Sequence, residues 1–170
     1  MDILLLLGRL LHIGLGAFWA GTLIFNAVFL LPALADVGPD AAKVAAALQR
    51  RRFMTVMPIV ALLTILSGFW LYWRVSGGFG SAFMGSPQGQ ALGAGAVASL
   101  VAYVIGLAVV RPGMARAGAL GQRAAQAAAG EREALIAQAT VARQRSAAGG
   151  RWVAVLLGLA LALMAVARYV

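Results

Sequence analysis

Four long apolar stretches alternate with polar, arginine-bearing segments along this chain. Residues 2–31 read DILLLLGRLLHIGLGAFWAGTLIFNAVFLL, and their polar interruptions are Arg9, His12, Thr22 and Asn26. Residues 53–73 (FMTVMPIVALLTILSGFWLYW) and 91–110 (ALGAGAVASLVAYVIGLAVV) carry no charge. Residues 152–167 (WVAVLLGLALALMAVA) form a shorter run, but Arg151 and Arg168 flank it and can snorkel to the two interfaces. A helix needs about 20 apolar residues to cross the hydrocarbon core. The pattern therefore predicts four membrane spans, at residues 3–31, 53–73, 91–110 and 152–169. Lipid offers no partner to a free backbone group, which excludes open sheets. The expected fold class is all-α integral membrane: a four-transmembrane-helix bundle, one membrane domain over residues 1–170.

The segments between the spans carry their own signals. Pro32 is expected to end the first span. Pro39 and Asp40 open a short helix, DAAKVAAALQRRR, with proline near its first turn. That helix is expected to run on through the arginines into the second span. Pro58 removes a backbone donor and should kink the second span. The next link, VSGGFGSAFMGSPQGQ, reads as a loop. Its Phe79 and Phe83 are expected to lie back on the interface, beside an aromatic belt of Trp70, Tyr72 and Trp73. Residues 112–150 are rich in Ala, with Arg, Gln and Glu interleaved, a composition of high helix propensity. One straight helix of that length would end about 50 Å from the membrane at 1.5 Å per residue. Arg151 must nevertheless return to the surface. Gly130 divides the segment into two similar arms, and GEREAL reads as a fresh helix start with acids in its first turn. The reading is a cytoplasmic helical hairpin that extends helices three and four, with its turn near Gly130.

Composition agrees with the pattern. The chain has 170 residues, 62% of them hydrophobic, and a mean hydropathy of +0.90, far above an ordinary soluble domain. The first stretch lacks a basic n-region and is too long for the apolar core of a cleaved signal peptide. No cysteine is present, which excludes disulfides and thiolate metal sites. The net charge of +9 does not imply a nucleic-acid partner, because the basic residues flank the spans. Residues 32–52 carry Lys43, Arg50, Arg51 and Arg52. Residues 111–151 carry Arg111, Arg116, Arg123, Arg132, Arg143, Arg145 and Arg151. The link between spans two and three has only Arg74. Basic loops stay inside, so the first and third links are expected in the cytoplasm and both termini outside. The expected setting is the bacterial inner (cytoplasmic) membrane, with the lipid bilayer as partner and other membrane subunits or a homo-oligomer left open.

Candidate chemistry centres on His12, the one histidine of the chain. An ionisable group at membrane depth is a functional-site hypothesis, and imidazole ligates haem iron. At 100° per residue, Trp19 is offset from His12 by about 20° and Asn26 by about 40°, so the three share a face. Gly16, one turn on, offers room beside the imidazole for something flat. Arg9, one turn the other way and offset by about 60°, is placed to pair with an acidic group on a ligand. A b-type haem with its iron on His12 and a propionate toward Arg9 fits this layout. Two other readings stand beside it: His12 hydrogen-bonds a neighbouring helix, or it takes part in proton transfer. Arg9 also reads as a snorkelling anchor, and Trp19 and Asn26 as packing and helix-to-helix contacts.

Other positions are weaker. Ser99 and Tyr103, one turn apart, are placed to reach His12 or its ligand. Thr64 and Gly68 form a small polar strip. Met54 and Met57 read as core. Gly89 with Gly93, and Ala154 with Gly158 and Ala162, follow close-packing spacing. No phosphate-binding loop, dinucleotide fingerprint, nucleophile elbow or zinc motif is present. No carboxylate lies within spans two to four, which argues against a transporter with an acidic proton relay.

Span one carries L-H-x6-W-x-G, here Leu11, His12, Trp19 and Gly21. Span two carries R-x-F-x3-M-P-x9-G, here Arg51, Phe53, Met57, Pro58 and Gly68. This resembles the bacterial four-helix membrane proteins related to HemJ-type protoporphyrinogen oxidases and to the copper-resistance CopD domain, over about the first 75 residues. The resemblance implies the four-helix fold and a haem-binding role for His12. HemJ-type proteins also have a lysine in helix three, where residues 91–110 have no basic side chain. The resemblance thus implies fold and haem rather than protoporphyrinogen oxidation. The leading expectation is a membrane protein binding one b-type haem for electron transfer or within a larger complex. The alternatives are a cofactor-free structural or accessory subunit and a pigment-binding subunit.

Overall fold

A computed structural model of the chain describes residues 2–38 and 41–170. Every long element is a helix, and no strand occurs among the described residues. Four helices are long and apolar enough to cross a membrane: α1 (Ile3–Val37), α3 (Phe53–Val75), α5 (Pro87–Gln126) and α6 (Ala129–Tyr169). Two short helices join them, α2 (Ala41–Arg50) and α4 (Ser81–Met84). The expected class, a four-helix membrane bundle with a helical hairpin between its last two spans, is the class observed.

The helix ends follow local rules. Asp2 caps α1, its carboxylate accepting from the Leu5 N–H at 3.2 Å. The same carboxylate pairs with Arg74 at 2.5 Å, which ties the start of α1 to the end of the antiparallel α3. The Leu5 N–H first, and the Arg74 guanidinium next, hold the Asp2 carboxyl below its usual range. Ser86 caps α5 by accepting from the Gly89 N–H at 3.1 Å, with Pro87 in the first turn.

Two prolines sit inside continuous helices. α1 contains a π-helical turn at Asn26–Leu30 and α5 one at Gly106–Val110. Each is followed, two positions on, by a proline: Pro32 and Pro112. A proline ring collides with the carbonyl four residues back and supplies no N–H. The wider turn, in which the Leu31 N–H reaches the Asn26 carbonyl and the Arg111 N–H reaches the Gly106 carbonyl, relieves that collision. Pro32 therefore does not end the first helix, as its sequence context suggested; α1 runs on to Val37. α3 likewise continues through Pro58.

The joins differ from expectation in two places. Pro39 and Asp40, read as the start of the short helix, lie outside the described residues. That helix also does not run into the second span. Arg52 adopts a left-handed backbone at φ 56°, the conformation that commonly stops a helix, so the chain turns between α2 and α3. The outer link is more ordered than a bare loop. The Gly78 N–H returns to the Trp73 carbonyl at 2.9 Å, with Gly77 and Gly78 at positive φ. The rings of Phe69, Tyr72, Phe79 and Phe83 cluster at centroid distances of 5.3 to 6.1 Å. The Tyr72 hydroxyl donates to the Gly89 carbonyl at 3.1 Å.

The bundle core is built from Trp19, Ala20, Ala61, Ala102, Val153 and Leu157. Small residues predominate because lipid tails supply no hydrophobic drive for association, so contact depends on close approach. On α6 the buried face is Val153, Leu157 and Ala160. The Ala154, Gly158, Ala162 stripe, expected to pack closely, lies off that face, and a Cβ on Gly158 would meet open space. The close approaches are made instead by Gly95, against Met164 and the Ala160 carbonyl, and by Gly149, against Val109 and Val110.

Beyond the core, α5 and α6 continue side by side as an antiparallel arm. Its seam is Leu120, Ala124, Leu135 and Ala139. The turn falls at Ala127 and Ala128, both extended in backbone, and Gly130 lies in the first turn of α6. Arg132 sets this position by donating to the carbonyls of Ala124 and Ala127, each at 3.2 Å. It thereby satisfies orphan acceptors at the end of α5.

Candidate functional site around His12

His12 lies on the face of α1 that looks into the bundle, opposite the small polar strip of α3. Its Nδ1 is 2.9 Å from the Thr64 carbonyl and 3.3 Å from the Ser67 hydroxyl. A carbonyl only accepts, so Nδ1 carries the proton and donates it. Ser67 donates its own hydroxyl proton to the same carbonyl at 3.0 Å, and Thr64 donates to the Val60 carbonyl at 2.9 Å. These hydroxyl bonds close locally on α3, so the polar groups there are satisfied without water. In the neutral ring the other nitrogen, Nε2, bears the lone pair, and no described residue hydrogen-bonds it.

Gly68 is what lets the ring lie there. A Cβ at that position would stand 2.6 Å from His12 Cε1, closer than carbon packing permits, and 3.1 Å from Nδ1. The imidazole thus packs its Cε1 edge close against α3 at Gly68. Thr64, Ser67 and Gly68 recur at i, i+3 and i+4, one face of one helix. The Thr64 and Gly68 strip was visible in the sequence; that it faces His12, and that Ser67 joins it, was not.

The other expected site residues divide by location. Arg9 is exposed on α1 and makes no ion pair with any described residue. Gly16 faces α3, and a Cβ there would touch the Thr64 methyl at 3.4 Å, so Thr64 takes up the room beside the imidazole. Trp19 is 3% exposed and meets Tyr103 of α5 edge to face, with centroids 6.5 Å apart. Those two rings form one contact, a turn or two deeper than His12. Asn26 opens the π-helical turn of α1 and is half-buried. Ser99, a turn before Tyr103, is half-buried and makes no bond to His12. Met57 is buried as core.

Burial along α1 peaks at a single layer. Trp19 and Ala20 are the buried residues of α1; its other inward residues, Leu5, Gly8, His12 and Leu15 on one side and Leu23, Ile24 and Ala27 on the other, are half-buried. The histidine therefore sits about two turns outward of the one closed layer on α1. No group of three or more metal-ligating His, Cys, Asp or Glu side chains occurs among the described residues. No protein-family model, no curated protein and no solved structure matches the chain.

Proposed function

We propose that this chain is a subunit of the bacterial inner membrane that offers His12 Nε2 as an axial ligand to one b-type haem, for electron transfer or within a larger complex. The observation that carries this reading is the bond from Nδ1–H to the Thr64 carbonyl at 2.9 Å. A histidine that binds a metal almost always gives its other ring N–H to a carbonyl or carboxylate, which fixes the tautomer and ring plane. Arg9, unpaired and one turn away, suits a haem propionate. Such a group would meet His12 where the ring is half-buried, about two turns from Trp19, rather than in the core that Trp19 and Thr64 fill. When bound, haem supplies one-electron chemistry; the chain supplies the ligand, its orientation and a nearby positive charge. The resemblance to HemJ-type and CopD-type proteins points the same way.

A second reading is a cofactor-free accessory subunit, in which the His12 bond simply ties α1 to α3. The close fit of the imidazole on Gly68 favours it. An absorption spectrum of the chain purified after expression with ample haem separates the two. The first reading expects a reducible Soret band that His12→Ala abolishes while the protein still inserts. A colourless wild type, or a band unchanged in His12→Ala, overturns it, and a far-red band would indicate a chlorin instead.

The orientation proposed places both termini outside and the α5/α6 arm in the cytoplasm, from the arginine asymmetry. Reporter fusions after Val170 and within residues 122–129 test it. A cytoplasmic reporter active at the C-terminus reverses the assignment.

A further inference from the structure

Arg151 sits between two open grooves where α6 leaves the apolar core. One is lined by Ala148, Arg151, Trp152 and Val155, the other by Ala27, Leu31, Pro32, Ala147 and Arg151. The first set recurs at i, i+3, i+4 and i+7, a single stripe on α6. The second adds the end of the π-helical turn of α1, which brings Leu31 and Pro32 beside α6. Trp152 and Val155 are exposed large apolar side chains. Arg151 is exposed and bonds to no described side chain; Asp36, one turn past Pro32, does not pair with it.

The level of this site in the bilayer follows from the sequence. The run of apolar residues in α6 begins at Trp152, so Arg151 is the first residue on the headgroup side of the hydrocarbon boundary. Tryptophan prefers that same depth. An unpaired guanidinium at the interface, with apolar walls descending from it into the hydrocarbon, has the chemistry of a lipid site. The guanidinium matches a phosphate in planar, two-pronged fashion, and the walls take the first carbons of an acyl chain.

We propose that Arg151 binds the phosphate of a single anionic phospholipid, whose two acyl chains lie in the two grooves beside it, one along Trp152 and Val155 and the other between α6 and the end of α1. The charge of the site selects the lipid. Arg111, at the corresponding end of the span in α5, adds a second positive charge near the same boundary, which favours a net-negative headgroup over a zwitterionic one. The apolar walls of Leu31, Trp152 and Val155 distinguish a lipid from a phosphate in free solution, which has no use for them.

The test is native mass spectrometry of the full chain in detergent micelles, titrated with phosphatidylglycerol or with phosphatidylcholine of the same acyl chains. The wild type is expected to retain one phosphatidylglycerol and to bind phosphatidylcholine more weakly. Arg151→Ala should weaken phosphatidylglycerol binding by about tenfold or more, as loss of a charge-assisted hydrogen bond does. Arg151→Lys, which keeps the charge but not the fork, should fall between the two and preserves the test if the alanine variant inserts poorly. Trp152→Ala should weaken both lipids alike, and Arg116→Ala, out on the arm, neither. Equal affinity of wild type and Arg151→Ala for phosphatidylglycerol overturns the proposal. So does equal binding of the two lipids by the wild type, or displacement of phosphatidylglycerol by an equal concentration of inorganic phosphate.

Discussion

Gly68→Val is expected to force α1 and α3 apart at the level of His12 and to destabilise the bundle by about 1–3 kcal/mol, the usual cost of overpacking a close contact. Even the first added carbon would stand 2.6 Å from His12 Cε1. The imidazole cannot simply swing aside, because that breaks its bond to the Thr64 carbonyl. The partner substitution shows where the cost arises. His12→Ala empties the space that the new side chain needs, so the double variant should recover most of the loss, a large coupling for residues in direct contact. Gly14→Val is the control, since a Cβ there meets nothing within 4 Å. Reversible unfolding of the full chain in mixed micelles measures all four. A stability for Gly68→Val equal to that of Gly14→Val, or strict additivity with His12→Ala, would show that the helices do not meet as described.

A second large effect is expected at the far end of the molecule. The outer α5/α6 arm is held by a thin seam, Leu120, Ala124, Leu135 and Ala139, with Ala117 of α5 also buried. Leu135→Asp places a carboxylate in that seam, where the Arg132 guanidinium is already engaged by the Ala124 and Ala127 carbonyls. Burying an unpaired charge, or losing a buried leucine, costs about 3 kcal/mol or more, and a seam this slim has little to offset it. The outer arm should melt while the bundle stays folded, because none of the seam residues belongs to the cluster of Trp19, Ala61 and Leu157. Hydrogen exchange reads this directly: amides of residues 115–140 lose protection while those of 55–70 and 153–163 keep theirs. Trypsin should then cut at Arg116, Arg123 and Arg132. Unchanged protection in the arm would mean that the seam is not what holds it.

Part of the site was visible from residue types alone. A lone imidazole in an apolar stretch marks itself, since charge and hydrogen-bonding capacity are costly at that depth. Its partner was not visible, because that partner is the main-chain carbonyl of Thr64, a group every residue carries. Angular spacing on α1 grouped His12 with Gly16 and Trp19, and they do share its inward face. Spacing on one helix says nothing of what fills the space opposite, and there Thr64 meets Gly16 while Tyr103 meets Trp19. The two π-helical turns were likewise hidden. Pro32 read as a stop because proline normally breaks the bond ladder, yet a single wide turn before it lets the helix continue.

The sequence by itself determined the four spans, the arm and the class of fold, and the reason is the solvent. Hydrocarbon demands a fixed length of apolar residues with every backbone bond made internally, and both demands can be read residue by residue. The tertiary structure alone decided which faces of those helices meet. In water, an apolar stripe marks the buried side; in lipid, both sides of a span are apolar, so Ala61 and Leu157 look no more buried than Leu62 and Leu159. Packing of small residues chose the interfaces, set Gly68 rather than Gly158 at a close contact, and placed the turn of the arm where Arg132 finds the open carbonyls of α5.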